Sequence, residues 1–323
     1  NFFMLITYLM FNCPIIFLTY KRPNETEKIL KIILNLKPKN LYVFQDGKKK
    51  GFTREENQNH KDTKSIILKY KKNYSYKSIF YKENISQSLI GYKIIKEVFK
   101  KHEKTIILED DCVPEVGFFR YCDLMLKKFK RNKDIAHISG CNLYYGSKKK
   151  KINDKDYFFS KYPQFMGWAT WRDRWQKYYD PYLKNWEKER YEFLNNKNLK
   201  IGEKRFFTHY LKRFRQKKLI TWDIQWVYAC IFNNFKTVLP SVNLIKNIGY
   251  YNAPTGKGAK KFRNLVTKDI KFPLKHNPNI IFSRKYDNFL YEGFYNRKNI
   301  FLRVINRIRY SPITKNIKKN LSN

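Results

Sequence analysis

The stretch most suited to chemistry is a run of three acids, Glu109, Asp110 and Asp111, which directly follows the apolar residues 106–108. A short apolar run that ends near a proline, here Pro114, is typical of a buried strand. Acids at the carboxyl end of such a strand lie where open α/β sheets bind ligands. Their mutual repulsion favours a hard divalent cation with oxygen ligands. The alternative is an acidic helix start, because carboxylates also favour helix N-termini.

A second acid that stands out is Asp223, which lies between Trp222 and an apolar segment that is predicted to be helical as far as Phe232. A lone acid in this position is either a helix cap, together with Thr221, or a catalytic group. This part of the chain contains every tryptophan: Trp168, Trp171, Trp175, Trp186, Trp222 and Trp226. Flat indole rings stack well on the apolar face of a sugar, and burial in a core is the alternative interpretation for each of them.

Composition narrows the class of protein. The chain has 323 residues, of which 42% are hydrophobic and 18% aromatic, so it can build a large core and is not globally disordered. Its net charge of +41 favours an anionic partner, namely a nucleotide diphosphate, an anionic lipid surface or a nucleic acid. Because the basic residues are spread along the chain, a nucleic acid is the least favoured of these partners.

The cysteines indicate a reducing compartment. They are odd in number and contain no CxxC pair: Cys13, Cys112, Cys122, Cys141 and Cys230. We therefore expect reduced thiols in a cytoplasmic protein, and neither a disulfide framework nor a zinc site.

Two apolar segments bear on a membrane location. Residues 1–20 are almost continuously apolar, which would suit an anchor, but Asn12 and Pro14 interrupt the run and its second half is needed as the first strand. Residues 300–309 combine an apolar stripe with arginines. We expect an amphipathic helix there, which either docks on the domain or recruits the chain to an anionic membrane surface.

Alternating strands and helices must position the candidate groups. Apolar runs predict strands at residues 14–20, 41–47, 65–70, from 105 onward and 135–140, and helical stripes lie at residues 26–36, 85–99 and 118–129. This order predicts parallel strands joined by right-handed crossovers, and hence a doubly wound α/β domain. No GxGxxG follows the first strand, which argues against a dinucleotide site.

Four motifs, taken in order, carry a resemblance to a known family: Arg22, Asp46, residues 108–111, and Gly167-Trp168 with Trp222-Asp223. Residues 14–252 resemble the GT-A-fold nucleotide-diphospho-sugar transferases of the N-acetylglucosaminyltransferase I family. They resemble more closely the bacterial glycosyltransferases described as hemolytic-protein-like. The resemblance implies a GT-A type doubly wound, mostly parallel sheet with an acceptor-side α-rich extension. It implies a catalytic domain over residues 1–260, with a nucleotide-sugar-binding half (14–140), an acceptor half (141–260) and a basic C-terminal extension (261–323).

The resemblance also implies roles for individual residues. Asp111 would bind a divalent cation, Mn²⁺ or Mg²⁺, through the donor diphosphate. Glu109 and Asp110 would contact the donor's ribose and sugar. Arg22 would lie near the donor's diphosphate or base, and Asp46 would form a hydrogen bond with the base. Asp223 would be the general base of an inverting enzyme, and the acceptor would bind the tryptophans Trp168, Trp171 and Trp222. The sequence departs from the family at residues 250–258, which contain no histidine, and this puts a histidine metal ligand in question.

The implied reaction moves a hexose or an N-acetylhexosamine from a nucleotide-diphospho-sugar, with a UDP-sugar as the expected donor. The acceptor would be a hydroxyl of a glycan, of a lipid-linked molecule or of a protein. Elementary chemistry agrees, because a cation and Lys257, Lys260 or Lys261 would neutralise the leaving diphosphate. A base must lie within hydrogen-bond reach of the acceptor hydroxyl, and the flanking tryptophans would raise the pKa of Asp223. We expect a cytoplasmic enzyme, peripheral at the inner face of the membrane if the C-terminal helix binds lipid.

Other classes compete with this hypothesis. A nucleotidyltransferase of the same fold would carry a glycine-rich basic loop near its N-terminus, and the sequence has none. The main alternative is a non-catalytic carbohydrate- or nucleic-acid-binding protein. A sugar-binding protein does not require acids at the ends of two strands. A nucleic-acid-binding protein would lose affinity steeply with salt and would not respond to metal.

Overall fold

The computed structural model of the chain describes residues 10–86, 88–249 and 264–296. The strands in these ranges are β1 (Ile15–Thr19), β2 (Leu41–Gln45), β3 (Lys77–Phe80), β4 (Lys104–Glu109), β5 (Cys112–Pro114), β6 (Ile135–Ser139), β7 (Tyr157–Ser160), β8 (Trp168–Trp171), β9 (Lys236–Pro240) and β10 (Ile245–Asn247). The helices are α1 (Pro23–Asn35), α2 (Arg54–Lys71), α3 (Ile90–Phe99), α4 (Gly117–Lys128), α5 (Leu143–Lys148), α6 (Arg172–Tyr178), α7 (Trp186–Asn195), α8 (Ile201–Arg215), α9 (Asp223–Phe232) and α10 (Arg284–Leu290), and a π-helical turn over Tyr291–Tyr295 follows α10.

A single large sheet organises these elements, with the strand order β3-β2-β1-β4-β8-β6-β9-β7. β1 pairs in parallel with both β2 and β4, and β2 pairs in parallel with β3. β8 runs antiparallel between β4 and β6, and β7 closes the far edge antiparallel to β9. β5 and β10 form a separate antiparallel pair. The predicted α/β class, with a mostly parallel sheet, is confirmed.

Helices cover both faces of the sheet, because successive residues of an inner strand point to opposite sides. On one face, Ile15 and Phe17 of β1 pack with buried residues of α1, α2 and α4. On the other face, Ile16 of β1 and Ile107 of β4 pack with α3, α6 and α9. A third cluster adjoins β7 and β9 and contains residues of α7, α8 and α10. The fold is therefore doubly wound, and the helices α7, α8 and α10 form the α-rich part that adjoins β7 and β9.

Most of the elements predicted for the first half of the chain are present. β1, β2, β4 and β6 overlap predicted strands, and α1, α3 and α4 overlap predicted helices. Pro23 lies in the first turn of α1, where a backbone N–H has no partner within the helix. The N–H that proline lacks therefore costs the helix no hydrogen bond. Ile29 and Ile33 of α1 are fully buried and give this helix its inner face.

The strand predicted at residues 65–70 is wrong, because these residues lie inside α2. The Thr53 side chain accepts the backbone N–H of Glu56, and the Glu56 side chain accepts that of Thr53, so a reciprocal capping box starts the helix. From this start the helical phase places Thr63 and Ile67 in the core. The third strand is instead β3, a short strand at the edge of the sheet. An apolar run alone does not distinguish strand from helix, and the upstream cap decides here.

The predicted halves, residues 14–140 and 141–260, both supply strands to the one sheet, and the boundary between them stays a prediction. Part of the predicted C-terminal extension, residues 261–323, packs on this fold. Ile270 belongs to the core cluster of α1 and α4, and Tyr286 belongs to the cluster of α7 and α8.

Several predictions concern residues outside the described ranges. They are the apolar segment before residue 10, the lysines and the absent histidine of residues 250–263, and the amphipathic helix at residues 300–309. Within the described ranges, no helix has the length and the apolar composition that a membrane span requires. All five cysteines are buried and none is joined in a disulfide, and the reducing, cytoplasmic location stays a prediction.

Asp287 of α10 gives the fold a pH dependence. Its side chain is buried and accepts a hydrogen bond of 2.5 Å from the hydroxyl of Ser160 on β7. Burial, partly offset by that hydrogen bond, raises the pKa of Asp287 from 3.8 to about 6. The folded state thus holds this proton more tightly than the unfolded chain. Stability therefore falls as the pH rises through the window between these two pKa values, and then levels off.

We expect Asp287→Asn to remove this contribution, which is about 2 kcal/mol between about pH 4 and about pH 7. Asparagine can still accept the Ser160 hydroxyl but does not ionise. Urea unfolding across this pH range measures the effect. Asp134→Asn, at an acid whose side chain is 76% exposed, is the matched control and should keep the wild-type slope. Parallel pH profiles for wild type and Asp287→Asn would contradict the assignment.

Candidate active site

The carboxyl ends of β1, β2 and β4 meet along one edge of the sheet, because these neighbouring strands are parallel. Arg22 follows β1, Asp46 follows β2, and Glu109 ends β4, with Asp110 and Asp111 in the turn to β5. β1 lies between β2 and β4, where the chain order reverses. Ligands of open α/β sheets bind at such a position. The structure therefore brings together five of the residues that were predicted to bind the donor and the metal.

Asp110 is a buried acid that holds Arg22 in place. Its side chain accepts Arg22 Nη1–H at 2.5 Å through one oxygen and the Tyr20 backbone N–H at 2.8 Å through the other. Burial raises the pKa of Asp110 to about 6, against the opposing effect of Arg22. Both carboxylate oxygens are thus engaged within the protein. Arg22, whose side chain is 41% exposed, presents its charge to the open space instead.

Asp111 faces that open space and is tightly surrounded on its other side. Its side chain is 19% exposed and lies 3.8 Å from Arg22 Nη2. The Cys112 thiol donates to it at 3.2 Å, and the Ile248 backbone N–H donates to its carbonyl oxygen at 2.8 Å. A Cβ added at Gly249 would lie 2.3 Å from Asp111 Oδ2. Only glycine therefore fits beside this carboxylate without displacing it.

The charge of the site suits a divalent cation. Burial raises the pKa of Glu109 to about 8, and the charges of Asp111, Asp110 and Asp223 add to this rise. No group of three His, Cys, Asp or Glu side chains in the described part of the chain is arranged to hold a metal ion by itself. A cation would therefore combine Asp111 with oxygen ligands from water and from a bound diphosphate, which is a usual environment of Mg²⁺. The acids present fit that arrangement.

Asp46 joins two loops at the opposite end of the site. Its carboxylate accepts hydrogen bonds from the backbone N–H groups of Gly47 at 2.8 Å and Ile85 at 2.9 Å. It also accepts one from the side-chain amide of Asn84 at 2.9 Å. Burial raises the pKa of Asp46, against the opposing effect of these hydrogen bonds. The half-buried carboxylate thus fixes residues 84–86 beside the end of β2, in a position where they can contact a ligand together with it.

Asp223 is the first residue of α9, and Trp222 stands at the N-cap position. The Asp223 carboxylate accepts the Thr221 hydroxyl and the backbone N–H of Ile224. No side chain caps α9, so the predicted capping role of Thr221 or Asp223 is not observed. Burial raises the pKa of Asp223, against the effect of these hydrogen bonds. A half-buried carboxylate with a raised pKa is suited to accept a proton.

The three tryptophans predicted to bind the acceptor have different surroundings. Trp222 lines the open space beside Asp223. Trp168, at the start of β8, is 1% exposed and stacks under Trp222 with ring centroids 5.6 Å apart. Trp171 belongs to the core cluster on the opposite face of the sheet and donates its Nε1–H to the carbonyl of Leu126 at 3.1 Å. The core interpretation therefore describes all three rings, since Trp222 is only 4% exposed and belongs to the same core cluster as Trp168. Of the three, Trp222 also borders the open space.

Two clefts, each of about 440 Å³, open at this edge and share a wall of four residues: Arg22, Glu109, Asp111 and Trp222. The first, named here the β1 cleft, continues past the ends of β1 and β2 to Asp46, Lys49, Asn84 and Ser86. The second, named here the α9 cleft, continues to Thr221, Asp223, Asn247 and residues 164–166. The acid triplet thus stands between two cavities that are each large enough for a small ligand.

Sequence reasoning missed the residues that support these walls from below. His137 of β6 stacks on Trp168 with ring centroids 4.9 Å apart and accepts the Nε1–H of Trp226 at 3.3 Å. Its Nε2 lies 2.9 Å from the carbonyl oxygen of Gln164, a residue of the α9 cleft. Burial lowers the pKa of His137 to about 3, so the ring is neutral and its Nε2–H donates to Gln164. The sequence did contain a signal of this role, because His137 is a polar residue within the apolar run 135–140.

Gly91 of α3 sets the position of Trp222, because a Cβ at residue 91 would lie 2.6 Å from the indole ring. We expect Gly91→Ala to lower stability by about 1 to 3 kcal/mol through overpacking and to weaken ligand binding in both clefts. Thermal unfolding and ligand titration measure the two effects. Gly293→Ala is the matched control, since a Cβ there meets nothing within 4 Å. Unchanged ligand affinity in a destabilised Gly91→Ala would show that Trp222 does not shape the clefts.

Comparisons with known proteins show a likeness in structure and none in sequence. No protein-family model matches the chain, and no curated protein matches it. Among solved structures, the crystal structure of residues 1–349 of TarS from S. aureus, a wall teichoic acid glycosyltransferase, is similar to it at a TM-score of 0.34 and 12% sequence identity. The match covers 56% of this chain and 54% of the TarS chain. At this TM-score a shared function does not follow, so the function rests on the site itself.

Proposed function

We propose that the chain is a glycosyltransferase that moves a sugar from a nucleotide-diphospho-sugar to an acceptor hydroxyl, with inversion at the transferred carbon. The observation that carries the proposal is the wall shared by the two clefts. An acid cluster with one guanidinium stands between a cavity suited to a nucleotide and a second cavity that contains a carboxylate of raised pKa. A protein that only bound a sugar would not need this pair of cavities.

In this proposal the β1 cleft holds the donor. Asp46 and Asn84 supply hydrogen-bonding groups for the nucleoside at the far end, and Arg22 faces the diphosphate at the shared wall. The guanidinium is already oriented by its bond to Asp110, so little ordering is needed when the phosphates bind. Arg22 then stabilises the charge that develops on the leaving diphosphate.

The α9 cleft then holds the acceptor, with its hydroxyl beside Asp223. Asp223 accepts the hydroxyl proton as the acceptor oxygen forms a bond to the anomeric carbon. The bond from that carbon to the diphosphate oxygen breaks, and the nucleoside diphosphate leaves with the electron pair. Because attack and departure occur on opposite faces, a single displacement inverts the anomeric configuration. Trp222 borders the same cleft and would contact the acceptor only through the small part of its ring that is exposed.

A divalent cation, Mn²⁺ or Mg²⁺, would be held by Asp111 together with the donor diphosphate. It would supply Lewis-acid stabilisation of the leaving group. Glu109, whose pKa is raised, lies at the same wall. The positive charge of a bound cation would offset the repulsion between Glu109 and the neighbouring acids. Asp111 and Glu109 therefore make donor affinity depend on the metal.

A panel of nucleotide sugars tests the proposal. Each is measured for thermal stabilisation of the protein and for hydrolysis, with and without Mn²⁺, and a UDP-sugar is expected to give the largest metal-dependent stabilisation. Slow hydrolysis in the absence of an acceptor should accompany binding. If free sugars stabilise the protein and no nucleotide sugar does, the protein is a carbohydrate-binding module. If nucleic acid binds with a steep dependence on salt and none on metal, the nucleic-acid alternative holds.

A further inference from the structure

A large groove lies at the edge of the sheet, outside the two clefts. It has a volume of about 780 Å³ and runs between the edge strand β3 and the helix α3. β3 pairs only with β2 along the described sheet, so one side of it is open. α3 crosses back over the sheet between β3 and β4 and covers β2, but it leaves the outer strand β3 only partly covered. The groove is the gap that remains.

The walls of this groove carry one sign of charge. Six lysines line it: Lys71, Lys77, Lys93, Lys96, Lys100 and Lys101. Glu97 is the one acid among the lining residues, and Lys100 already pairs with it at 2.6 Å. Because the groove is concave and walled by protein, the positive potential of these ammonium groups adds up inside it.

Two of the ammonium groups lie near each other. Lys77, at the start of β3, and Lys101, in the turn after α3, both line the groove, and the neighbouring Lys101 ammonium lowers the pKa of Lys77. Burial and the charges of these two lysines also lower the pKa of the neighbouring His102. Like charges that are close together are stabilised by an anion that binds beside both.

The floor of the groove is aromatic, and ammonium groups lie over two of its five rings. The Lys77 ammonium lies 5.4 Å from the ring centroid of Tyr42, and the Lys96 ammonium lies 5.4 Å from that of Tyr92. Tyr92 also stacks on Tyr179, with centroids 6.0 Å apart. The contacts of Tyr42 and Tyr92 limit the ring surface on which nucleic-acid bases could stack. Recognition in this groove rests on the ammonium groups.

We propose that this groove binds phosphate groups of a soluble, chain-like anion. Its recessed shape favours a linear chain over a flat bilayer, which would meet the rims and leave the floor empty. The length of α3, about 15 Å for ten residues, accommodates several successive phosphates. The proposal is independent of the proposed enzymatic function, because none of the groove residues lines the shared wall of the two clefts.

The test is titration of the full chain with inorganic tripolyphosphate and with longer linear polyphosphate in metal-free buffer. We expect the longer chain to bind more tightly and to raise the melting temperature, with an affinity that falls as salt rises. The double reversal Lys77→Glu/Lys101→Glu should weaken binding by about tenfold or more. The milder Lys77→Gln/Lys101→Gln should weaken it in the same direction and guards against loss of folding.

The matched control is Lys61→Glu/Lys188→Glu, at two exposed helix positions outside the groove. It changes the net charge by the same amount and should leave the affinity within about twofold. Equal losses in both double variants would overturn the proposal, since the total charge would then explain binding. A second arm uses vesicles of phosphatidylglycerol and phosphatidylcholine. The proposal is also overturned if the groove variants lose vesicle binding and retain polyphosphate binding.

Discussion

Asp223→Asn is expected to give a folded protein that binds nucleotide sugar and metal but hardly transfers, with turnover reduced about a hundred- to ten-thousand-fold. Asparagine has the size of aspartate and can still accept the Thr221 hydroxyl and the Ile224 N–H, so α9 should keep its start. It cannot take the proton of an acceptor hydroxyl. Single-turnover transfer, with donor affinity and melting temperature measured in parallel, separates the loss of chemistry from loss of binding or fold.

A second aspartate provides the control for this experiment. The Asp269 carboxylate accepts two backbone N–H groups, that of Gly117 at the start of α4 and that of Ile270, both at 2.9 Å. Asp269 lines neither cleft. Asp269→Asn should leave turnover within a few-fold of wild type and change stability by no more than about 1 kcal/mol. If Asp223→Asn behaves in the same way, Asp223 is a structural residue and the base lies elsewhere.

Asp111→Asn is expected to abolish the metal dependence of donor binding. In the presence of Mn²⁺ the affinity for the nucleotide sugar should fall about a hundredfold or more, because the amide is a poor substitute for a carboxylate ligand of a hard cation. Without metal the variant should be at least as stable as wild type, since one of the repelling charges beside Glu109 is removed. Calorimetric titration of donor with and without Mn²⁺ measures the effect.

Asp134→Asn is the matched control for that titration, because the Asp134 side chain is 76% exposed and lies outside both clefts. It should bind donor with the wild-type affinity and the wild-type response to Mn²⁺. Donor binding by Asp111→Asn with an unchanged response to metal would exclude Asp111 as a ligand.

The edge of the sheet that carries the site was predictable because it depends on local patterns. Apolar runs identify β1, β2 and β4, and the helices between them make these strands parallel. The groups that follow the strands, Arg22, Asp46 and the acids at Glu109 to Asp111, must then meet at one edge. That conclusion needs no knowledge of long-range packing, and the observed pairing of β1 with β2 and β4 confirms it.

Other features depend on distant partners and were not predictable. The engagement of both Asp110 oxygens depends on Tyr20 and Arg22, which lie far away in sequence. The short antiparallel strand β8 is placed by its pairing with β4 and β6. The burial of Trp171 follows from that placement. Local sequence specified the aromatic character of this strand, and only the tertiary pairing decided which face of the sheet each of its rings would occupy.

The shared wall of the two clefts has a kinetic consequence. Arg22, Glu109, Asp111 and Trp222 each border both cavities, so a ligand in one cavity alters the charge and the shape of the surface offered to the other. Such coupling is reciprocal, and the two substrates cannot bind as independent events. In the proposed reaction, the anionic donor would engage Arg22 and complete the surface on which the acceptor would lie. Initial-rate measurements should therefore follow an ordered ternary-complex pattern, with intersecting double-reciprocal lines and the nucleoside diphosphate as the last product to leave.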